Sequence, residues 1–142
     1  MVKSKMLQEC PCGSGAAFEQ CCEPYLLGTS TAPNALALMR SRYTAYTLAD
    51  EAYLQKTWHV STRPTLISQQ MGPMKWLGLE IIVYHQEQHF ATVEFITQYK
   101  INGRAGKLHE KSQFVFEDGN WLYLDAACFE NDSDDHDLIS FG

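Results

Sequence analysis

Four cysteines crowd into thirteen positions near the amino end of the chain, in the segment CPCGSGAAFEQCC that covers residues 10–22. They form a Cys-x-Cys pair, a gap of eight residues and a Cys-Cys pair: Cys10, Cys12, Cys21 and Cys22. Four thiolates are a ligand set that Zn²⁺ takes in closed tetrahedral sites, which leave no coordination position for a substrate. The spacing therefore predicts a zinc ion with a structural role.

Two other uses of these cysteines stay open on the sequence alone. A Cys-x-x-Cys redox motif is absent, and a disulfide between the adjacent Cys21 and Cys22 would be strained. Another metal, or an iron–sulfur cluster, can also be held by four cysteines. The amino terminus lacks the apolar core of a secretory signal, so we expect the protein in the cytoplasm. Thiols stay reduced in that compartment, which favours metal binding over disulfides.

The cysteine segment is followed by a connector and then by a helical pattern. Residues 23–33 carry glycine, proline, serine and threonine, which is typical of a linker. From Asn34 onward, apolar residues recur at intervals of three and four and predict a helix. The members of this stripe are Leu36, Met39, Tyr43 and Tyr46. A second short helix is predicted over 50–58, with Thr47 or Asp50 as its cap, and a weaker one over 64–71.

The second half of the chain changes to the period of β-strands. Four segments are rich in β-branched and aromatic residues: 76–86, 89–101, 107–117 and 120–129. The dipeptide Asp118-Gly119 lies between the last two and is a strong hairpin signal. Helices first and strands later predict an α+β fold, with the helices packed on one face of a curved four-stranded antiparallel sheet.

A sheet that curls around a helix encloses a cavity, and several polar or aromatic residues could line it. The candidates are Arg40, Arg42, Tyr43, Tyr46, Trp58, Glu110 and Asp125. Alternation along the third strand puts Glu110 on the apolar face, where a carboxylate is costly unless it is paired. Arg40 or Arg42 is the expected partner. Such an ion pair would be structural, or it would bind a ligand or act in catalysis.

The distribution of charge limits the partners of the protein. The net charge is −6, and five of the seventeen acidic residues lie in the segment ENDSDDHD, residues 130–137. The rest of the chain is nearly neutral and has no basic block, so nucleic-acid binding is disfavoured. No stretch is long and apolar enough for a membrane span, so we expect no membrane association.

The cysteine segment resembles the SEC-C motif, a short zinc-binding motif whose ligand spacing matches all four cysteines. The stretches LMRSRYTAY, DEAYLQKTWH and KWLGL resemble the YchJ family of uncharacterised bacterial proteins. This resemblance implies a SEC-C zinc knuckle and connector over 1–30 and an NTF2-like (cystatin-like) cone over 31–129. The cluster of acidic residues at the end of the sequence predicts an acidic tail over 130–142. Many family members repeat the cysteine motif at the carboxyl end, whereas this chain ends in ENDSDDHDLISFG.

Two functions are consistent with these patterns. The first is a zinc-containing binding module that recognises a protein through the knuckle, or a small apolar molecule in the cone. The alternative is a small-molecule enzyme of the isomerase or dehydratase type, with its site in the cone. Cone folds of this kind host both, so the fold does not decide whether the protein is an enzyme.

Overall fold

The computed structural model describes residues 8–65 and 74–128 of the chain. A 3-10 turn (Phe18–Gln20) precedes three helices: α1 (Glu23–Leu27), α2 (Ala35–Leu48) and α3 (Glu51–Lys56). Four strands follow: β1 (Met74–Gln86), β2 (Phe90–Ile101), β3 (Arg104–Glu117) and β4 (Asn120–Cys128). The two predicted helices α2 and α3 and the four strands are confirmed, whereas α1 lies in the segment 23–33 that the sequence analysis assigns to a linker. The helix predicted over 64–71 and the acidic tail over 130–142 lie largely or wholly outside the described residues.

The two longer helices begin at side-chain caps. The Asn34 side chain accepts a hydrogen bond from the amide of Ala37 at 2.8 Å and so caps α2, while Pro33 precedes this cap. The Asp50 side chain accepts from the amide of Tyr53 at 3.1 Å and caps α3, which selects Asp50 over Thr47. Both starting points therefore follow from local sequence.

The four strands form one antiparallel sheet in the order β1-β2-β3-β4. Two-residue turns join the later strands, with φ of 53° and 81° at Asn102-Gly103 and 53° and 82° at Asp118-Gly119. Positive φ at both central positions is the requirement of the tight hairpin turn that suits the twist of the strands. The sheet is therefore a meander, as the turn sequences predict.

The core lies between α2 and one face of the sheet, which we call the inner face. On β2 every second residue is buried, and on β3 the buried residues have the predicted phase. The buried positions of these two strands are Ala91, Val93, Phe95, Thr97, Tyr99, Leu108, Glu110, Ser112 and Phe114. No helix in residues 8–65 or 74–128 combines the length and apolarity that a membrane crossing requires.

A bulge in β4 changes which residues of that strand face inward. Gln113 pairs with Asp125, but Phe114 pairs with Tyr123, so Leu124 is an extra residue in the ladder. Simple alternation puts Asp125 on the face of Tyr123, and the bulge reverses this. Asp125 is exposed, so its predicted place in a cavity is corrected by the structure.

The segment after α3 attaches the helices to the sheet. The amide of Tyr123 donates to the carbonyl of Thr57 at 2.8 Å, and the amide of His59 donates to the carbonyl of Tyr123 at 2.8 Å. Trp58, between them, forms an isolated parallel bridge with Tyr123. These main-chain bonds hold the end of α3 against β4.

Candidate metal centre

The cysteine loop is closed by its own backbone. The amide of Cys10 donates to the carbonyl of Ala16 at 2.9 Å, and the amide of Phe18 donates to the carbonyl of Gln8 at 2.8 Å. Gly13 has φ of 81° and lies against β1, where an added Cβ would be 3.3 Å from the carbonyl oxygen of Leu79. Only glycine meets both conditions without strain. The loop therefore returns on itself and brings the first cysteine pair back to the second.

The second cysteine pair is placed by short helical elements. Cys21 ends the 3-10 turn, and Cys22 is the amino-terminal cap of α1. The carbonyl of Cys22 accepts from the amides of Tyr25 and Leu26 at 3.0 and 3.1 Å. The main chain of Cys22 is therefore held in place by the first turn of α1.

The four sulfurs are spaced as a tetrahedral metal site requires. All four Sγ atoms lie within 4.8 Å of one another, and Cys10, Cys12 and Cys22 are buried. Sγ of Cys21 is 3.6 Å from that of Cys12 and 3.9 Å from that of Cys22. Zinc–sulfur bonds of about 2.3 Å in a tetrahedron put sulfurs about 3.8 Å apart. The residues therefore fit a divalent ion held by four thiolates.

Three polar side chains surround the sulfurs. Ser14 Oγ lies 3.1 Å from Sγ of Cys21, and Thr44 Oγ1 lies 3.6 Å from Sγ of Cys10. Arg40 Nη1 donates to the carbonyl of Cys12 at 2.9 Å and lies 3.9 Å from its sulfur. Groups of this kind orient the ligands of a metal and tune its affinity. Arg40 thus points to the cysteine loop and not into the predicted cavity.

Thr44 is a neighbour of the site that sequence reasoning missed. It lies one helical turn after Arg40 in α2, and its hydroxyl donates to the carbonyl of Arg40 at 3.1 Å. Residues four apart share a helix face. Once Arg40 is known to face the loop, the spacing alone could have identified Thr44.

The thiols are unequal in acidity. The hydrogen bond between Cys12 and Cys22 lowers the pKa of Cys12 and raises the pKa of Cys22. Burial raises the pKa of Cys21. Cys12 therefore ionises more readily than Cys21 and Cys22. Because metal ligands must be thiolates, binding of an ion displaces these protons and weakens as the pH falls.

The other predicted cavity residues lie at the inner face. Arg42 is 2% exposed, and its Nη1 donates to the carbonyl of Leu54 at 2.9 Å and to Thr57 Oγ1 at 2.8 Å. Its guanidinium carbon is 4.9 Å from the centre of the Trp58 ring and 4.5 Å from that of Tyr123. The charge is therefore stabilised by main-chain and hydroxyl oxygens and by two aromatic faces.

Glu110 is 1% exposed, which confirms its inward direction. Burial raises the pKa of Tyr46 and of Tyr123. The nearby charge of Glu110 raises both pKa values further. The predicted partners of Glu110 have other contacts: Arg40 binds the cysteine loop, and Arg42 binds the end of α3. Arg40 and Arg42 thus each anchor α2 to a separate backbone segment, the cysteine loop and the end of α3.

Aromatic rings fill the space between α2 and the sheet. The ring of Trp76 lies 6.2 Å from that of Tyr43, 6.1 Å from that of Tyr46 and 6.3 Å from that of Tyr99. Burial raises the pKa of Tyr43 and of Tyr46. Phenols of this kind hold their protons at neutral pH and are poor general bases.

A few buried polar atoms at the inner face have no hydrogen-bond partner within the described ranges. They are Arg42 Nη2, Trp58 Nε1, Tyr99 OH, Ser112 Oγ and Tyr123 OH. Buried donors are rarely left unsatisfied, and ordered water supplies the missing bonds in many proteins. We therefore expect internal water beside Arg42.

Comparison with known protein families agrees with this geometry. Residues 34–126 match the family model of the NTF2-like middle domain of YchJ, and residues 8–24 match the SEC-C motif. The chain belongs to the YchJ family. Because the SEC-C match contains all four cysteines, the YchJ-family motif and the sulfur cluster are the same feature.

Relatives of this YchJ-family chain include proteins of Cupriavidus and Streptomyces. A UPF0225 protein of Cupriavidus metallidurans is 47% identical over 128 residues, which cover 85% of this chain and 89% of the relative. A UPF0225 protein of Streptomyces coelicolor is 44% identical over 121 residues, which cover 85% of this chain and 96% of the relative. The likeness therefore extends over most of both proteins.

Two solved structures resemble the YchJ-family fold described above. The solution structure of a SEC-C motif containing protein from Rhodopseudomonas palustris has a TM-score of 0.80 and 32% identity, covering 87% of this chain and all of the other. The crystal structure of a SEC-C motif containing protein from Psychrobacter arcticus has a TM-score of 0.72 and 27% identity, covering 87% of this chain and 84% of the other. The arrangement of the cysteine loop, the helices and the four-stranded sheet is thus shared with SEC-C proteins.

Proposed function

We propose that the protein holds one Zn²⁺ ion through Cys10, Cys12, Cys21 and Cys22 and acts as a binding module in the cytoplasm. The observation that carries this proposal is the set of four sulfurs within 4.8 Å of one another. A four-thiolate site is coordinatively closed, so the ion stabilises the loop and performs no chemistry on a substrate. Reduced, unpaired thiols are also what the cytoplasm maintains.

The surface of the cysteine loop supports recognition of a basic partner. Residues 8–30 contain Glu9, Glu19 and Glu23 and no lysine or arginine. Glu9 and Glu19 are exposed, and Leu27 at the end of α1 is 68% exposed. Four thiolates around a divalent ion add a formal charge of about −2. We therefore favour a protein segment rich in lysine or arginine as the partner of this surface.

The inner face gives more support to a binding module than to an enzyme. A catalytic cone needs an accessible polar pair whose pKa values suit proton transfer. Here Trp76, Tyr43 and Tyr46 occupy the space, and the two phenols have raised pKa values.

Metal analysis tests the first part of the proposal. Protein purified under reducing conditions should contain one zinc per chain by mass spectrometry of its elements. Cys21→Ser should lose most of it, and Cys128→Ser, which changes the cysteine outside the motif, should keep it. Iron in place of zinc would refute the identity of the metal, and equal zinc in both variants would refute the ligand set.

Affinity capture with charge variants tests the second part. Glu19→Lys alters the exposed surface but touches no sulfur, so it should keep the metal and lose a partner held by charge. Cys21→Ser should lose both. If Glu19→Lys and Cys21→Ser retain the same captured proteins as the unchanged chain, the cysteine loop is only a structural staple.

A further inference from the structure

A cavity lies where the connector after α1 meets α3 and the start of β4. Its volume is about 270 Å³. The connector contributes Ser30, Thr31 and Ala32, α3 contributes Tyr53 and Lys56, and β4 contributes Trp121. We call this space the junction cavity.

The floor of the junction cavity is apolar and rigid. Tyr53 and Trp121 line the cavity and are each 5% exposed, so the surrounding packing holds both side chains in place. The ring of Trp121 lies 5.3 Å from that of Phe116, and the hydroxyl of Tyr53 is 2.6 Å from Ser41 Oγ. Such a floor suits a flat aromatic ring, which gains by stacking or edge contact.

The rim of the junction cavity is polar and carries one positive charge. Lys56 Nζ lies 5.7 Å from the centre of the Tyr53 ring. None of the residues that line the cavity is acidic. Within residues 8–65 and 74–128 no carboxylate forms an ion pair with Lys56. The exposed hydroxyls of Ser30 and Thr31 add hydrogen-bond donors beside it. These groups favour a negatively charged substituent at the mouth.

The size of the cavity limits the ligand to one ring with a short substituent. An apolar cavity of about 150 Å³ is enough for benzene. The remaining volume, out of 270 Å³, suits a carboxylate on a short chain. The geometry points to a small aryl carboxylate as the ligand of the junction cavity. Its ring lies on Tyr53 and Trp121, and its carboxylate lies beside Lys56. This inference does not depend on the metal or on the basic partner proposed above.

Titration of the ¹⁵N-labelled protein with phenylacetate tests the inference. The resonances of Trp121 should shift in a saturable way. Phenylacetamide, which has the same ring and no charge, should bind about fivefold more weakly, because it lacks the single exposed ion pair with Lys56. Lys56→Gln should remove this difference, and Lys75→Gln, an exposed lysine on β1, should leave it unchanged.

A blocking variant tests the location independently of charge. Thr31 is exposed on the rim, so Thr31→Trp should fill the cavity without disturbing the core and should abolish binding of both probes. A well-dispersed spectrum confirms that the variant is folded; if it is not, Ser30→Phe replaces it. The inference would be overturned if no saturable shifts appeared at phenylacetate concentrations up to about 10 mM, which correspond to a very weak affinity. Equal binding of acid and amide, or binding that survives the blocking variant, would also overturn it.

Discussion

Replacing Arg40 by glutamine should weaken zinc binding by about 10- to 100-fold, although Arg40 is not a ligand. Its Nη1 donates to the carbonyl of Cys12 at 2.9 Å and lies 3.9 Å from the sulfur. A charged hydrogen bond contributes about 1.5–3 kcal/mol. A unit charge about 4 Å from a thiolate adds up to about 4 kcal/mol at an effective dielectric constant of 20. Arg40 is half-buried, so water screens much of the second contribution.

The net loss of zinc-binding free energy should be about 1.4–2.7 kcal/mol, which corresponds to a 10- to 100-fold loss of affinity. Competition against a chromophoric zinc chelator at neutral pH measures it. Arg40→Lys should recover part of the loss, because it restores the charge without the planar fork. Lys100→Gln, which removes a charge from an exposed position on β2, is the matched control. An affinity of Arg40→Gln within twofold of the unchanged protein would refute the argument.

Three further changes probe separate contacts. Gly13→Ala should destabilise the protein by about 1 kcal/mol more than Gly15→Ala in urea unfolding, because both positions have positive φ but only Gly13 approaches the carbonyl of Leu79. Equal losses would show that the approach to β1 is unimportant. Arg42→Ala should lower the free energy of unfolding by about 3 kcal/mol or more, measured by thermal unfolding. It leaves a void between the rings of Trp58 and Tyr123, and it removes the hydrogen-bond donor of the Leu54 carbonyl. A loss below about 1 kcal/mol would contradict this. Burial raises the pKa of Tyr53 to about 12. The folded state thus keeps this proton while the unfolded state loses it above its ordinary pKa of 10.0. Stability should therefore fall by up to about 2.7 kcal/mol between these pH values, and Tyr53→Phe should reduce the slope by one proton.

The sequence predicts the strands well because their signals are local. Alternation and the turn Asp118-Gly119 depend on neighbouring residues, and the buried phase of β3, with Glu110 inward, is confirmed. Asp125 shows where such reasoning fails. The bulge at Leu124 exists only in the pairing of β4 with β3, and no pattern within β4 reveals it.

The same division holds for the candidate site. The cysteine spacing identifies four sulfurs that the structure brings together, because the loop that joins them is short. The groups that Arg40 and Arg42 contact are determined by tertiary packing. Two positions apart on α2, they point to different sides of the helix, but which side meets the cysteine loop depends on how α2 docks.

Cys22 and the junction cavity are joined by a single turn of backbone. The carbonyl of Cys22 accepts from the amide of Tyr25, and the side chain of Tyr25 forms part of the cavity wall. An ion bound by Cys22 would therefore also restrain that wall. We therefore expect metal occupancy to alter the affinity of the cavity for a small acid through this turn, and thermodynamic reciprocity then requires the acid to alter metal affinity by the same factor.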